Sequence, residues 1–378
     1  MTTAIRRILH VAPFNIANVP MGFVRAEREL GFESRLLTLG RNSRGYEEDI
    51  CLDLPLLDFA ITRWTKKLFS NPQRLRVTNR KPQFKEIPPV WSPHSFFEDV
   101  LVRGREFLWT PQIRATLEEI DFWNFDFYQF DGGLEFYRDG RTVRELKKRG
   151  KKIVVCYTGS DLRTRGVIKP VDDAADVRVT VEYDHLKLHP NIHHVFFPFD
   201  ARTFRLQPMR ERRDGGLVIG HAPTNRAAKG SDIIIDVVNR LVAEIGGRLL
   251  LIEGMPHQDA LKAKAECDIF IDQIGDLGYG INSLESLAMG IPTCTCLVEG
   301  FAQQYPEHPF IEVTAENLFE RLRELCLNFE LRRLYAEQSR EWVERVHDGR
   351  ICAKRIQNFL HERTKNESQN DKDKNSNL

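Results

Sequence analysis

Residues 268–292 are predicted to form a strand, a glycine-rich turn and a short helix in succession. This order constrains the fold more than any other feature of the sequence. The apolar run 269–271 predicts a strand that is buried on both faces of a parallel sheet. The turn 275–280 contains three glycines, and the predicted helix after it ends at Gly290, with Pro292 just beyond. Because the N–H groups at a helix start point at one place, the segment is typical of an anion-binding unit. The alternative is an ordinary strand–helix unit whose glycines only allow close packing.

This stretch resembles the donor-site motif of the retaining nucleotide-sugar glycosyltransferases of the group 1 (family 4) type. The matched residues are Glu285, the turn Gly278-Tyr279-Gly280 and the ending Ala288-Met289-Gly290-Ile291-Pro292. Leu277 stands where the family has its first glutamate, so either a polar neighbour replaces that acid or the donor is handled differently. The polar neighbours are Asp272, Gln273 and Asp276. The resemblance implies that the turn, with Asn282 and Ser283, binds the phosphate and sugar of the donor and that Glu285 binds its ribose.

The loop 220–230, which precedes this motif, carries two cations. A helix is predicted to follow it, from the N-cap pair Ser231 and Asp232 to about 245. Lys229 matches the family's Lys-Gly pair, and Arg226 lies near it, whereas the family's arginine position holds His221. The resemblance implies that Arg226 and Lys229 bind the donor diphosphate, whose contacts with cations strengthen as it departs. The alternative is a pair of exposed surface cations.

The first residues predict a Rossmann-like opening with a strand at 5–12, a loop, a helix from about Phe23 to Leu30 and a strand at 34–39. In the resembled family that loop is rich in glycine and approaches the donor phosphate. Asn15, Asn18 and Gly22 stand in for those glycines here. A surface loop with hydrogen-bonding asparagines is the alternative.

A second match to the family follows the predicted buried strand 152–157. The family often has the sequence H-G-S-D there, and this chain has Thr158 at the histidine position. The resemblance makes Thr158, Asp161 and Arg163 the candidate catalytic residues. The alternative is that Asp161 only caps the following turn and that Arg163 pairs with it.

Composition narrows the class of protein further. A net charge of +1 argues neither for nor against nucleic acid as a partner, and we expect no nucleic-acid partner. Seven cysteines without a C-x-x-C pair fit a reducing cytoplasm, and we expect a soluble cytoplasmic protein. The stretch 62–85 has eight Lys or Arg and no acid, which favours contact with an anionic membrane or a lipid-diphosphate acceptor. A solvated loop is the alternative.

Four histidines between 185 and 194 have spacings that resemble a metal site. We predict no metal there, because Pro190 interrupts any helix that would align them and no acid or cysteine completes the set. The resembled family transfers sugars without a metal, and the resemblance implies no cofactor besides the nucleotide sugar itself as co-substrate.

Together these features predict an α/β protein with the GT-B fold, in which two Rossmann-like domains face each other across a cleft. We expect an acceptor domain over 1–205, a nucleotide-sugar domain over 210–345, a helix at 346–364 that returns to the first domain, and a disordered tail at 365–378. The implied function is transfer of a sugar from a nucleotide sugar to a glycan or lipid-linked acceptor, with retention of configuration, in surface polysaccharide or glycoconjugate synthesis. The alternatives are a non-catalytic nucleotide-sugar or glycan-binding protein and a nucleotide-sugar epimerase.

Overall fold

The computed structural model describes residues 5–42, 45–57, 86–93, 95–211, 216–275 and 277–376, with backbone alone for 366–368 and 370–376. These residues form two compact units. Unit 1 holds the described residues up to Pro198 together with those from Gly349 onward, and unit 2 holds Phe199–Asp348. The chain thus passes into unit 2 seven residues before position 205, where the sequence predicts the end of the first domain. The basic stretch 62–85 lies outside the described residues.

The helices are numbered along the chain. They are α1 (Val19–Glu29), α2 (Phe96–Glu119), α3 (Arg141–Lys148), α4 (Lys169–Ala174), α5 (Arg226–Lys229), α6 (Ser231–Ile245), α7 (His257–Lys264), α8 (Ile281–Ala288), α9 (Phe301–Gln304), α10 (Leu318–Leu327), α11 (Phe329–Val346) and α12 (Gly349–Ser376). Short 3-10 turns cover Ile16–Asn18, Phe122–Asn124, Tyr183–Lys187 and Ala201–Thr203, and a π turn covers Asp161–Arg165. None of the helices in the described part of the chain is long and apolar enough to span a membrane.

Unit 1 is built on a seven-stranded sheet in which all neighbouring strands are parallel. The strands are β1 (Arg7–Ala12), β2 (Glu33–Thr38), β3 (Ile50–Cys51), β4 (Phe127–Asp131), β5 (Lys152–Tyr157), β6 (Val177–Thr180) and β7 (His193–His194). Their order is β3-β2-β1-β4-β5-β6-β7. The order reverses between β1 and β4, so the loops after these two strands flank the point where doubly wound sheets bind ligands.

Unit 2 is built on a smaller parallel sheet. Its strands are β8 (Val218–His221), β9 (Arg248–Leu251), β10 (Ile269–Gln273), β11 (Thr293–Thr295) and β12 (Ile311–Glu312), in the order β12-β11-β10-β8-β9. The strand predicted at 269–271 is confirmed as β10, which is buried along its whole length between β8 and β11. The order reverses between β8 and β10, and the glycine-rich turn after β10 therefore lies at the switch point of this sheet.

The last helix, α12, belongs to unit 1 and packs against α1. Close approach depends on glycine, because a Cβ on Gly349 would lie 2.8 Å from the Cβ of Ala26. Gly22, in α1, is part of the same close contact, since a Cβ there would lie 2.8 Å from the carbonyl oxygen of Pro198. The helix continues to Ser376, over a stretch whose composition predicts disorder.

Candidate functional site

A buried carboxylate at the end of β10 organises the switch point of unit 2. Asp272 is 1% exposed and forms an ion pair with the ammonium of Lys229 from α5. Its other contacts come from the start of α8, where Ser283 Oγ donates at 2.5 Å and Asn282 Nδ2 at 3.1 Å. Burial alone would raise the pKa of Asp272, but Lys229 and these hydrogen bonds lower it below its ordinary value. The three predicted donor residues Lys229, Asn282 and Ser283 therefore converge on one carboxylate.

Glycines allow the backbone to approach closely around this carboxylate. A Cβ at position 275 would lie 2.4 Å from the carbonyl oxygen of Ala228, so the turn can pass α5 only without a side chain. Gly278 has a φ of +74°, a conformation that other residues adopt at a cost. Gly280 is the residue before α8, and the first N–H groups of a helix have no partner within the helix. Glycines thus let the turn pass close to α5 and lead into the start of α8, and anion binding at this turn stays a prediction.

Gln273 fixes the turn from inside the sheet. Its amide nitrogen donates to the carbonyl oxygens of Gly278, at 2.7 Å, and of Cys296, at 2.9 Å. The side chain is buried, and its Oε1 atom has no hydrogen-bond partner among the described residues. Leu277, at the position of the family's first glutamate, is 41% exposed. Gln273 thus holds the turn in place, while Asp276 lies outside the described residues.

Glu285 contacts two basic side chains within unit 2, Lys264 and His257. Its Oε2 atom accepts from Lys264 Nζ at 2.5 Å, and its Oε1 atom contacts His257 Nε2 at 2.7 Å. Burial would raise the pKa of Glu285, but Lys264 and His257 lower it. Lys264 is itself 1% exposed and also donates to the backbone and side-chain oxygens of Asn282, at 3.0 and 2.5 Å. Glu285 therefore lies in a buried charge network that fixes α7 to the start of α8.

The other predicted cation, Arg226, has a carboxylate partner as well. Its guanidinium contacts both oxygens of Glu253, at 2.8 and 2.5 Å, and the two side chains are 49% and 29% exposed. The residue at the family's arginine position, His221, is fully buried. Its Nδ1–H donates to the carbonyl oxygen of Ile271, and Nε2 accepts from the hydroxyl of Ser231. Burial lowers the pKa of His221, so the imidazole is neutral and is engaged within the core.

Two predictions about this region need correction. The N-cap of the long helix α6 is Gly230, with a φ of +71° and no side-chain cap, because the Ser231 hydroxyl bonds to His221. The side chain of Tyr279 does not face the turn as a free donor ligand. Its ring is 7% exposed and packs against the aromatic residues Phe301, Phe310, Trp342 and His347. Its backbone alone stays part of the candidate site.

In unit 1, the turn after β5 holds the candidate catalytic residues. Asp161 Oδ2 accepts from the backbone and the hydroxyl of Thr158, both at 3.0 Å. Burial raises the pKa of Asp161, and the guanidinium of Arg165, 3.6 Å away, opposes this shift. Arg163 does not pair with Asp161, because its guanidinium contacts Glu182 and Asp184 at 2.6–2.7 Å. Thr158 and Asp161 therefore form one group, and Arg163 lies in a separate ion-pair network.

The residues predicted as a phosphate loop fall into two groups. Asn15 is fully buried after β1, where its amide donates to Asn18 Oδ1 at 3.0 Å and to the carbonyl oxygen of Glu47 at 2.8 Å. Its Oδ1 atom has no hydrogen-bond partner in the part of the chain that the structure describes. Asn18 is the N-cap of α1. Gly22 lies inside that helix rather than in a loop, contrary to the prediction, because the helix starts four residues earlier than its apolar pattern suggests.

Sequence reasoning missed a buried charge cluster beside the switch point of unit 1. His10, in the middle of β1, contacts Glu27 at 3.0 Å and Asp131 at 3.1 Å, one carboxylate on each ring nitrogen. Burial would lower the pKa of His10, but the two carboxylates raise it to about 10. Lys264 was missed in the same way. In both cases the available signal was a charged residue at a helix or strand position that the apolar pattern assigns to the core.

Comparison with known proteins gives no match to a family model, and no curated protein matches the sequence. Several solved structures are similar over nearly the whole chain. Sucrose-phosphate synthase from Thermosynechococcus elongatus has a TM-score of 0.56 at 11% identity, covering 94% of this chain and 98% of that one. HepE from Anabaena, in complex with UDP and glucose, has a TM-score of 0.55 at 9% identity, covering 94% and 100%. A glycosyltransferase from Rickettsia africae has a TM-score of 0.54 at 12% identity, covering 96% and 99%.

The chain has the GT-B fold. At these identities the likeness shows the fold alone, and the residues of each site must be argued from this chain's own chemistry. In GT-B terms, the cluster around Asp272 lies in the second Rossmann-like unit and the group around Asp161 in the first.

Proposed function

We propose that this GT-B protein is a glycosyltransferase that moves a sugar from a nucleotide-sugar donor to a glycan or lipid-linked acceptor with retention of configuration. The observation that carries the proposal is the convergence of Lys229, Asn282 and Ser283 on Asp272 at the switch point of unit 2. A glycine turn and a helix start lie beside the same carboxylate. This combination suits a ligand with a diphosphate and hydroxyl groups.

In the proposed donor complex, Lys229 and the N–H groups at the start of α8 bind the diphosphate. The carboxylate of Asp272 fixes the direction of Lys229, so the ammonium does not have to be ordered when the donor binds. Arg226 reaches the diphosphate by exchanging Glu253 for it, which the exposure of that pair permits. Glu285 has one oxygen beside His257, whose side chain is 37% exposed, and we assign the ribose to this edge of the site.

The proposed transfer needs no metal. The bond between the anomeric carbon and the phosphate oxygen breaks, and negative charge builds on the departing diphosphate, which Lys229 and the helix start stabilise. The departing oxygen takes the proton of the acceptor hydroxyl as the new glycosidic bond forms. Thr158 and Asp161 orient the acceptor in unit 1. Hexosyl transfer in surface polysaccharide or glycoconjugate synthesis is the setting that this donor and acceptor chemistry fits.

Two observations favour a second candidate, a non-catalytic protein that binds a nucleotide sugar. Leu277 replaces an acid of the resembled motif, and Arg226 and Lys229 already have carboxylate partners. An epimerase is a further alternative, which would need an acid and a base at the sugar. Turnover distinguishes these proteins, because the transferase releases free nucleotide and a glycosylated product, whereas the binding protein returns the donor unchanged.

The first experiment is a thermal-shift screen of UDP-, GDP-, ADP- and CMP-sugars with the full chain. UDP-sugars come first, because the HepE structure contains UDP and glucose. A ligand at 100 times its Kd stabilises the folded state by about 2.7 kcal/mol. Conversion of a labelled donor that stabilises the protein is then followed by chromatography, and the anomeric configuration of the product by NMR. Stabilisation without conversion supports the binding protein, and the absence of both refutes the donor site.

Variants locate the donor within unit 2. Two variants are used: the single variant Arg226→Ala, and a double variant that combines Lys229→Met with Asp272→Asn. Each removes charge without leaving a buried carboxylate unpaired. We expect each to weaken nucleotide-diphosphate binding at least tenfold, since a charge-assisted bond contributes roughly 1.5–3 kcal/mol. Arg248→Ala is the matched control, because it removes another exposed, carboxylate-paired arginine of the same unit. Affinity that equals the wild type in both variants removes the diphosphate assignment.

We also propose that the basic stretch 62–85 contacts anionic membranes. Neutralising Lys66, Lys67, Arg74 and Arg76 is then expected to reduce co-sedimentation with anionic vesicles, and added salt is expected to do the same. Wild-type protein that fails to sediment with such vesicles refutes this part.

A further inference from the structure

A buried histidine contacts the turn 158–161, which follows β5 and holds two of the candidate catalytic residues. His185 lies in the 3-10 turn Tyr183–Lys187 and is fully buried. Its Nε2 atom is 2.9 Å from the carbonyl oxygen of Gly159, and its Nδ1 atom is 2.8 Å from the hydroxyl of Thr180, the last residue of β6. Because a carbonyl oxygen can only accept, Nε2 carries the proton and donates to Gly159. His185 thus connects the end of β6 to the turn.

The imidazole of His185 is neutral and has a fixed orientation. Burial lowers its pKa to about 4, because the charged ring would lose its hydration. Nδ1 accepts from the hydroxyl of Thr180, which itself accepts from the backbone N–H of Glu182 at 3.0 Å. Both ring nitrogens are therefore used within unit 1, and neither is left for a metal ion.

Gly159 also lies beside a carboxylate. A Cβ on Gly159 would be 3.9 Å from Glu182 Oε1. Burial raises the pKa of Glu182, and Arg163 and the backbone N–H of Gly159 oppose that shift. The other oxygen of Glu182 accepts from Arg163 at 2.7 Å, and Arg163 contacts Asp184 as well. The ion-pair network of Arg163 therefore reaches back to the turn at its glycine.

The conformation of the turn depends on these contacts with Gly159. Asp161 Oδ2 accepts from the backbone N–H of Thr158, and the N–H of Asp161 donates to the carbonyl oxygen of Thr158 at 3.1 Å. Gly159 lies between them with a φ of +51°. Glycine adopts many other conformations almost as readily. Contacts on both its C=O and N–H sides are therefore what selects the conformation in which Thr158 and Asp161 meet.

We propose that His185 is a positioning residue of the proposed transferase, which holds Gly159 and thereby fixes the turn 158–161. The inference rests on the proposed function, because that function assigns Thr158 and Asp161 to the acceptor. It also gives a role to the first histidine of the run 185–194, which the proposed function leaves unused.

The same inference changes the role of Arg163. The resemblance makes this residue a candidate for catalysis, but its guanidinium is 17% exposed and is directed at Glu182 and Asp184. Arg163 therefore acts on the turn through Glu182, from the N–H side of Gly159, and not by contact with the substrate.

Two substitutions of His185 separate its hydrogen bond from its volume. His185→Gln places an amide nitrogen near the position of Nε2 and keeps the donor, whereas His185→Phe keeps a ring and removes the donor. Hydrogen exchange of the full chain without ligand, followed by mass spectrometry, compares residues 158–166 with β4, which reports on unit 1 as a whole. We expect His185→Phe to speed exchange in 158–166 at least tenfold and in β4 less than twofold. His185→Gln is expected to stay within threefold of wild type in both.

His194→Phe is the matched control. His194 is another buried histidine of the same run, and its ring packs on Tyr183 and Phe196, so its replacement is expected to leave exchange in 158–166 unchanged. If His185→Phe does not fold, Thr180→Val carries the test. It removes the hydroxyl that fixes the imidazole, and we expect exchange in 158–166 to rise at least threefold.

Two results of the exchange experiment overturn the proposal. Equal exchange of 158–166 in wild type and in the variant that lacks the contact means that the turn does not depend on His185. Exchange that rises as much in β4 as in the turn, or as much in His185→Gln as in His185→Phe, makes His185 an ordinary core residue.

Turnover then links the turn to transfer. With UDP-glucose as the donor probe, His185→Phe is expected to lower the release of UDP at least tenfold, and His185→Gln is expected to recover it. The affinity for UDP, measured by calorimetry, is expected to stay within twofold of wild type, because unit 2 is unchanged. Wild-type turnover in His185→Phe, despite faster exchange of the turn, overturns the positioning role.

Failure of this inference is distinguishable from failure of the proposed function. A wild-type protein that binds and converts no nucleotide sugar loses the transferase, while exchange in 158–166 without ligand still decides whether His185 holds the turn. A protein that converts a nucleotide sugar equally well with His185 or Phe at this position keeps the transferase and loses the inference.

Discussion

Replacement of Glu285 by Gln tests whether the carboxylate stabilises unit 2 by holding a buried lysine. Lys264 is 1% exposed, and Glu285 is the one carboxylate among its hydrogen-bond partners in the described part of the chain, since the other two acceptors are oxygens of Asn282. Gln keeps the volume and one acceptor oxygen but removes the negative charge. We expect the free energy of unfolding to fall by about 1.5–3 kcal/mol, the contribution of a hydrogen bond between charged groups.

This loss is large enough to measure. For a domain of about 150–250 residues, 1 kcal/mol shifts the melting temperature by roughly 2–4 °C, which gives a fall of about 3–12 °C. Thermal melts followed by circular dichroism, supported by urea titrations, provide the assay. Glu266→Gln is the control, because it breaks an exposed pair with Arg248 and is expected to cost less than about 1 kcal/mol.

A second variant identifies the cause of the loss. Lys264→Met combined with Glu285→Leu removes both charges and fills the space with apolar atoms, and such replacements are often neutral or stabilising. The double variant is therefore expected to regain most of the stability that Glu285→Gln loses. The pKa of Glu285 is lowered in the folded protein, so its contribution is present above pH 4.5 and disappears as the pH falls through the folded pKa. A Glu285→Gln melt within 1 °C of wild type at pH 7 refutes the reasoning.

The same preparation decides whether Glu285 also contacts the donor. If it accepts hydrogen bonds from ribose hydroxyls, Glu285→Gln weakens nucleotide binding by roughly 1–3 kcal/mol in addition to lowering the melting temperature. A lower melting temperature with unchanged affinity removes Glu285 from the donor site and leaves it as a structural residue.

Three further predictions concern unit 1 and use urea titrations. His10→Phe leaves two buried carboxylates without their cation, so we expect a loss of about 3–5 kcal/mol at pH 6. Because the folded pKa of His10 is about 10, the difference from wild type is expected to shrink as the pH rises from 6.5 through 10. Burial raises the pKa of Glu135 to about 8, so wild type is expected to lose stability relative to Glu135→Gln between pH 4.5 and 8, and a flat difference contradicts this. Gly22→Ala places a Cβ 2.8 Å from the Pro198 carbonyl oxygen and is expected to cost 1–3 kcal/mol, whereas Gly104→Ala, which meets nothing within 4 Å, is expected to be neutral or stabilising.

The sequence predicts those features that depend on short-range pattern. The apolar run 269–271 and the glycines around it predict β10, its turn and α8, and the structure confirms them. Partners that are distant in sequence could not be read from that pattern. Asp272 meets Lys229 across 43 residues and Glu285 meets Lys264 across 21, and only the strand order brings such pairs together.

The same limit explains the errors. Tyr279 has the right position in the resembled motif, but the aromatic residues that enclose its ring come from α9, from Phe310 just before β12 and from α11, all outside the motif. Gly22 occupies a position where the family has loop glycines, yet its role is set by Pro198 and by the packing of α12 on α1. A motif therefore predicts where the backbone lies more reliably than it predicts what each side chain contacts.

The pairing of the cations in unit 2 leads to a weak salt dependence of donor binding. In unit 2 the charge of Lys229 is balanced by Asp272 and that of Arg226 by Glu253, so the local charge that an arriving diphosphate meets is close to zero. Its affinity must then come mainly from backbone N–H groups and from exchange of one anionic partner for another, and neither gains much long-range attraction. We therefore expect calorimetry at about 0.05 and 0.5 M salt to show only a small loss of nucleotide affinity in unit 2. A large loss would mean that Lys229 and Arg226 part from their carboxylates before the donor binds.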